Sequence, residues 1–338
     1  MDMASKMAYL TLDVISAVGL GQPFGDLKSD SDVNDYLHAA ETGLHIGNSA
    51  FGLGTRWLLS LPIIGPAISP SEKDKTGFGK MMAEARKVVE ARKLKSTDEK
   101  SDMMSSFIRH GIDGDDLFQE VFEQILAGSD TTAASLRILM LYIMSHPRVY
   151  TKLQKEIDQA AAGSAVGEDI IPDAEARKLP YLSAVIREGL RVHCPVVNLF
   201  SRVVPKGGDL VTVDGKEFFL PEDTMIGYSA WSMHRNNKAV YGEDAEVFRP
   251  ERWIVDESVP EEKEKLARMT KTNDLIFGHG RWVCLGRVVA FMEIYKTIFE
   301  LLRHFDFALT NPLEPWTIFN NMGLFAIGDM WVDVTERK

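Results

Sequence analysis

Residues 277–286 read Phe277-Gly278-His279-Gly280-Arg281-Trp282-Val283-Cys284-Leu285-Gly286, and an apolar helical run follows at once, from Leu285 to about His304. A thiolate just before a helix start is stabilised by the free N–H groups and by the positive end of the helix dipole. Glycines at 278, 280 and 286 allow tight, otherwise strained turns and let the backbone approach a bound group closely. The pattern points to a sulfur held open to a metal. The competing reading is a buried structural cysteine, a common fate of the free thiol.

Composition narrows the field. At 338 residues, 45% apolar and 26% charged, the chain has the make-up of an ordinary globular protein of one large or two smaller domains. Its 38 basic residues against 49 acidic leave a formal charge of −11, which argues against a nucleic-acid partner. Cys194 and Cys284 are too few for a disulfide framework and suit a reducing compartment. No stretch reaches the roughly 18 continuous apolar residues of a membrane span; Leu136–Met144 is short and interrupted by Arg137. The first residues carry Asp2, Lys6 and Asp13 and lack the basic-then-apolar layout of a signal peptide. As a helix they put Met7, Leu10, Val14 and Val18 on one face.

Further along, Val33–Ile46 reads as a helix, Ser49–Pro70 as short apolar pieces between turns, and Lys80–Lys95 as a charged helix with Met81, Ala85, Val88 and Val89 toward one side. A polar loop is expected over Lys93–Asp102. The longest helix spans about Asp115 to Ser145, with acids at its positive end and His146-Pro147 as its stop. In its middle, Ala127-Gly128-Ser129-Asp130-Thr131-Thr132 is unusual for a helix interior. Close packing of another helix would account for it, and so would a ligand-facing role. Arg148–Ala162 and Pro180–His193 are amphipathic helices; in the second, Glu188 and Arg191 share a face at i and i+3. The pattern then turns to short strands at Phe200–Val204, Leu210–Val213, Glu217–Leu220 and Met225–Tyr228, with Asp214-Gly215 as a hairpin turn. Trp231–Arg235 and Glu261–Arg268 read as short helices, and Phe305–Thr310 and Thr317–Met330 as closing strands.

Taken together, these stretches resemble the cytochrome P-450 family, of fungal or eukaryotic microsomal type, across nearly the whole chain. The four motifs that carry the resemblance fall in the family's order between Ala127 and Gly286. The resemblance implies an α+β, mostly α fold with a long central helix and a small sheet region, as one haem domain over 1–338. Phe277, Gly280, Cys284 and Gly286 match the haem loop, and Cys284 would be the axial ligand to the iron of haem b. The family usually has arginine or histidine at the position of Trp282; Arg281 is adjacent, and Arg202 stands where an arginine often pairs a haem propionate. Gly128 would make room for dioxygen, Thr131 would offer a hydroxyl to the distal oxygen, and Asp130 would feed protons through water. Glu188, Arg191 and Arg252, the last in Phe248–Trp253, would form one buried network beneath the cysteine loop. Val196–Phe200 and the Asn320–Gly323 tip would border the substrate pocket.

The implied activity is monooxygenation of a lipophilic substrate, with dioxygen as oxidant and electrons from a separate NADPH-dependent reductase. The implied location is the endoplasmic reticulum. Relatives begin with a membrane anchor, a proline-rich hinge and several helices without counterpart here, including residues that clamp the propionates. A second expectation is therefore an incomplete, non-catalytic relative with weak or no haem binding. A third keeps the haem and rearranges peroxides, and the Asp130-Thr131 pair favours oxygen activation over it.

Overall fold

The computed structural model describes residues 1–93, 102–163, 169–197, 201–321 and 323–337, the side chains of 51, 56 and 93 apart. Its helices, in chain order, are α1 (Met3–Leu20), α2 (Asp26–Ser29), α3 (Tyr36–Gly52), α4 (Ile64–Ile68), α5 (Gly77–Lys93), α6 (Met103–Arg109) and α7 (Gly114–Ser145). They continue with α8 (Pro147–Ala161), α9 (Asp173–Ala176), α10 (Pro180–Val192), α11 (Ala230–Arg235), α12 (Lys238–Tyr241), α13 (Pro260–Asn273) and α14 (Arg287–His304). The strands are β1 (Arg202–Val203), β2 (Asp209–Val213), β3 (Lys216–Leu220), β4 (Met225–Ile226), β5 (Phe305–Leu309), β6 (Thr317–Asn321), β7 (Leu324–Gly328) and β8 (Val332–Glu336). They pair antiparallel as β1–β4, β2–β3, β5–β8 and β6–β7. The fold is mostly helical with small sheets, as expected.

Helix α7 organises the rest. Its 32 residues span about 48 Å, and Pro147, which cannot continue it, becomes the first residue of α8. Two cores form along it. Leu117, Phe118, Val121 and Ile125 pack with Leu12, Tyr36, Met81 and Val89. Leu136, Leu139, Met140 and Ile143 pack with residues of α8, α10 and α14, among them Leu153, Val185, Ile298 and Phe299. The segment 127–132 lies between these two blocks and stays helical throughout.

Helix α1 lies against α7. Arg137, buried in the middle of α7, donates through Nε and Nη2 to the Ala4 carbonyl at 2.9 and 2.6 Å. Burial pulls the Arg137 guanidinium down to about 10, against the opposing pull of Asp130. The buried stripe of α1 is Met3, Ala4, Met7, Ala8, Thr11, Leu12, Ile15, Ser16, Gly19 and Leu20. This corrects the expected face: Met7 is on it, but Val18 is exposed, and small residues take the contact because they let two helices approach. In length and mean hydropathy (1.2) α1 could cross a membrane, yet half of it is buried inside this fold.

Other boundaries moved. The helix expected over Val33–Ile46 is Tyr36–Gly52, and that over Glu261–Arg268 is Pro260–Asn273, entered through a proline at its first position. The strand expected over Phe200–Val204 is Arg202–Val203, residues 198–200 lying outside the described chain, as do 94–101 of the expected polar loop. The last strand, β8, was not anticipated and pairs with β5 from Phe305↔Glu336 to Leu309↔Val332. At Asp214 and Gly215, φ of 51° and 75° closes the β2–β3 hairpin in the turn its sequence called for.

Candidate functional site

The cysteine loop is anchored at its base and open at its tip. Phe277 packs on the main core and lies 5.0 Å, ring to ring, from Phe291 of α14. The Cys284 N–H donates to the Phe277 carbonyl at 2.7 Å, closing the loop on itself. Gly278 makes this possible: its φ is 79°, and a Cβ there would come within 2.9 Å of the Trp282 carbonyl oxygen. Gly280, also at positive φ, opens the short turn Gly280–Trp282. Gly286 differs from expectation. Its φ of −76° is open to any residue, and it serves as the residue that caps α14. A Cβ there would stand 3.9 Å from Cys284 Sγ, an ordinary contact.

Cys284 is exposed and Cys194 is buried. Burial pushes the Cys194 thiol up to about 12, which makes it an inert core residue. The structure thus separates the two readings offered for a cysteine and gives the closed one to Cys194. Around Cys284 every residue from His279 to Gly286 is exposed, and the apolar ones include Leu285 at 81%, with Val288 (66%) and Met292 (40%) on one face of α14. Exposed apolar surface of this kind marks a binding site. Two arginines stand at its edge: the guanidinium carbons of Arg281 and Arg202 lie 4.7 and 5.6 Å from the Trp282 ring centroid. One thiol, apolar side chains and cationic groups suit a flat apolar macrocycle with carboxylates on its rim.

Behind the loop is a closed polar network. Glu188 accepts from Arg191 Nε and Nη2 (2.8 and 2.9 Å), Arg252 Nε (2.8 Å), the Arg249 N–H (2.8 Å) and Trp253 Nε1 (2.8 Å). The remaining guanidinium donors go to carbonyls: Arg191 to His234, Ala245 and Val247, Arg252 to Tyr241, Asp244 and Val247. Arg252 also reaches the Asp244 carboxylate at 3.2 Å. All five donors of each arginine are used, so the buried charges are compensated where they stand. The three residues expected to meet do so. Asp274, missed in the sequence, links this helix to the loop: its Oδ1 lies 3.5 Å from Arg187, beside Glu188, and 3.0 Å from Arg287, the first residue of α14.

The segment 127–132 divides. A Cβ on Gly128 would come within 2.7 Å of Ile15 side-chain carbons, so the crossing of α1 accounts for this glycine. Thr131 is half-buried and its hydroxyl donates to the Ala127 carbonyl at 2.9 Å. Asp130 lines a cavity of about 640 Å³ between α1, α3, α7 and the β6–β7 hairpin, with Arg137, Glu41, His38 and His45 among its other walls. Burial holds the Asp130 carboxyl above its usual range, with Arg137 opposing and Glu41 adding to the rise. The two stretches expected to border a pocket meet each other: Val196 bridges Leu324, and the Val197 N–H donates to the Gly323 carbonyl at 2.6 Å. Residues 198–200 and 322 of those stretches lie outside the described chain.

Buried histidines form another feature the sequence did not disclose. His193 sits edge-on to Trp231, Trp316 and Phe325, its ring 4.7–5.7 Å from theirs. Burial, then Arg235, pushes it down to about 4, so it is neutral. Glu293, on the buried face of α14, has no hydrogen-bond partner for Oε1 among the described residues, and burial raises its carboxyl to about 8.

Comparison with known proteins gives a consistent picture. The family model described as "Cytochrome P450" matches residues 1–329. "Cytochrome P450 monooxygenase ABA1" of Pyricularia oryzae is 42% identical over 99% of this chain, and "Cytochrome P450 monooxygenase aba1" of Botryotinia fuckeliana is 37% identical over all of it. The chain spans 64% of the length of each of these curated relatives. A crystal structure of a cytochrome P450, CYP102L1, superposes on the whole chain with a TM-score of 0.73 at 20% identity, the chain covering 69% of it.

Proposed function

The chain belongs to the cytochrome P-450 family, and from that premise we propose that it serves a haem-thiolate monooxygenase, in which one atom of dioxygen enters a lipophilic organic substrate and electrons come from a separate NADPH-dependent reductase. The observation that carries this reading is the placement of the two thiols: Cys194 closed in the core, Cys284 open on an apolar, arginine-edged surface just before α14. Cys284 would be the single protein ligand to the iron, and Arg202 and Arg281 would face the carboxylates of haem b. When bound, the haem supplies the dioxygen chemistry, which no protein side chain provides.

The chain's own residues have three tasks. Phe277, Gly278 and the Cys284 N–H fix where the sulfur stands. The Glu188–Arg191–Arg252 network keeps α10 and the Pro250–Trp253 turn rigid, and Asp274 passes that rigidity to the start of α14. Asp130, poised toward its neutral form, would hold a proton at its carboxyl oxygen, with the cavity at Glu41 and Arg137 as its route to solvent. Thr131 would release its bond to Ala127 and offer Oγ1 as a donor to a bound ligand.

The apolar residues on the β6–β7 hairpin and at Val196–Val197 support a lipophilic substrate. The endoplasmic reticulum is the location the resemblance favours. To test the proposed reaction, the haem-loaded chain is incubated with a reductase, NADPH and ¹⁸O-labelled dioxygen against a panel of lipophilic compounds. One labelled oxygen in a product supports monooxygenation. NADPH consumption with peroxide release and no labelled product, or failure to take up haem, contradicts it.

A further inference from the structure

Trp282 occupies the position at which a cation is expected, and its surroundings show why the loop functions with an indole there. Arg281 comes from the same loop and Arg202 from β1, eighty residues earlier, yet both guanidinium carbons lie within 5.6 Å of the one ring. An aromatic face attracts a guanidinium at such distances, and tryptophan does so best. Two like charges brought to one side chain otherwise repel, so the arrangement concentrates positive charge that no carboxylate among the described residues pairs. Most other stacked arginines differ: Arg86, Arg177, Arg187, Arg191 and Arg287 also lie over rings, and each pairs a carboxylate. Arg235, over Trp231, donates to the Val192 carbonyl instead, and only at Trp282 do two arginines without a carboxylate share one ring among the described residues. Arg202 and Arg281 form no ion pair among the described residues.

We infer that Trp282 is a positioning residue, whose indole gathers Arg202 and Arg281 into one cationic edge that receives the two carboxylates of the haem rim beside Cys284. This rests on the haem reading given above and adds to it a residue whose chemistry is neither ligand nor charge. The anion is bound by the arginines through charge-assisted hydrogen bonds, and the ring sets where they stand.

The test is equilibrium uptake by the full chain of iron protoporphyrin IX and of its dimethyl ester, which has the same macrocycle without the charges. Trp282 is 59% exposed, so its replacement leaves the core intact. Trp282→Leu is expected to weaken binding of the free acid about 5- to 30-fold, the reach of two stacked arginines, and that of the ester less than about 2-fold. Trp282→Phe, which keeps a ring, recovers most of the loss. Arg202→Gln costs less in the Trp282→Leu background than in the native chain, because the arginine is already unplaced. Equal weakening of acid and ester makes Trp282 a mere apolar wall and overturns the inference, as does no weakening at all. In either case the haem reading stands. If the native chain takes up neither porphyrin, both fall together.

Discussion

Two polar clusters stand at opposite extremes in this molecule, the network around Glu188 and the loop around Cys284. The first is fully buried, and every donor of Arg191 and Arg252 ends on an acceptor of the chain itself. The second is open, with an exposed thiol, exposed apolar side chains and two arginines, Arg202 and Arg281, that pair no carboxylate among the described residues. A closed cluster is architecture: nothing is left over to bind anything. An open one has chemistry to spare, and the proposed site is the open cluster. Identical side-chain types, arginine on aromatic ring, occur in both, so residue type alone does not separate the roles.

The contrast is sharpest in stability. Glu188→Ala leaves two buried guanidiniums without their carboxylate and is expected to cost about 3–5 kcal/mol, read as a lower urea midpoint or as loss of soluble protein. A loss below about 1 kcal/mol would remove the distinction. Gly128→Val tests whether the middle of α7 belongs to the closed class on its α1 side. Its Cβ enters the Ile15 side chain, and overpacking of this kind costs about 1–3 kcal/mol. Thr131→Ala, on the open side, is expected to change stability by less than about 1 kcal/mol, both variants being compared by thermal melting.

Glu293 is the exception that probes the comparison, because it is buried but unsatisfied. Its folded-state carboxyl is raised to about 8 from an ordinary 4.5, so the folded chain favours its neutral form. The stability this contributes is fully present below pH 4.5 and is lost as the pH rises toward 8. Glu293→Gln is therefore expected to have little effect near pH 5 and to stabilise at pH 8 by roughly 1 kcal/mol or more. Urea denaturation at the two pH values checks it; a gain that is the same at both would show that Glu293 is not the titrating group. The smallest effect belongs to the loop. Cys284→Ser should move the melting midpoint of the haem-free chain by the equivalent of less than about 0.5 kcal/mol.

Local patterns made much of this legible. The length and stop of α7 followed from its period and from Pro147, and the β2–β3 turn from Asp214-Gly215; spacing paired Glu188 with Arg191, while Arg252 as their partner came only from the family resemblance. What failed was decided by partners that sequence spacing does not reveal. The face of α1 turned because Ala4, Ala8 and Gly19 admit α7 more closely than Val14 or Val18 would. Gly128 is explained by Ile15, a residue 113 positions away. The bridge at Asp274 and the meeting of Arg202 with Trp282 are likewise long-range, and so is the pairing of β8 with β5 across the intervening β6–β7 hairpin. Gly286 shows the reverse error: it looked like a turn glycine, yet its backbone is ordinary.

The proposed function depends on the exposed sulfur of Cys284 reaching an iron. The direct measurement is the absorption spectrum of the reduced, carbon monoxide-bound, haem-loaded chain, recorded for the native protein and for Cys284→Ser. A red-shifted band in the native chain that disappears in the variant is the predicted result. A band that is the same in both, or an unshifted band in the native chain, would contradict thiolate ligation at Cys284.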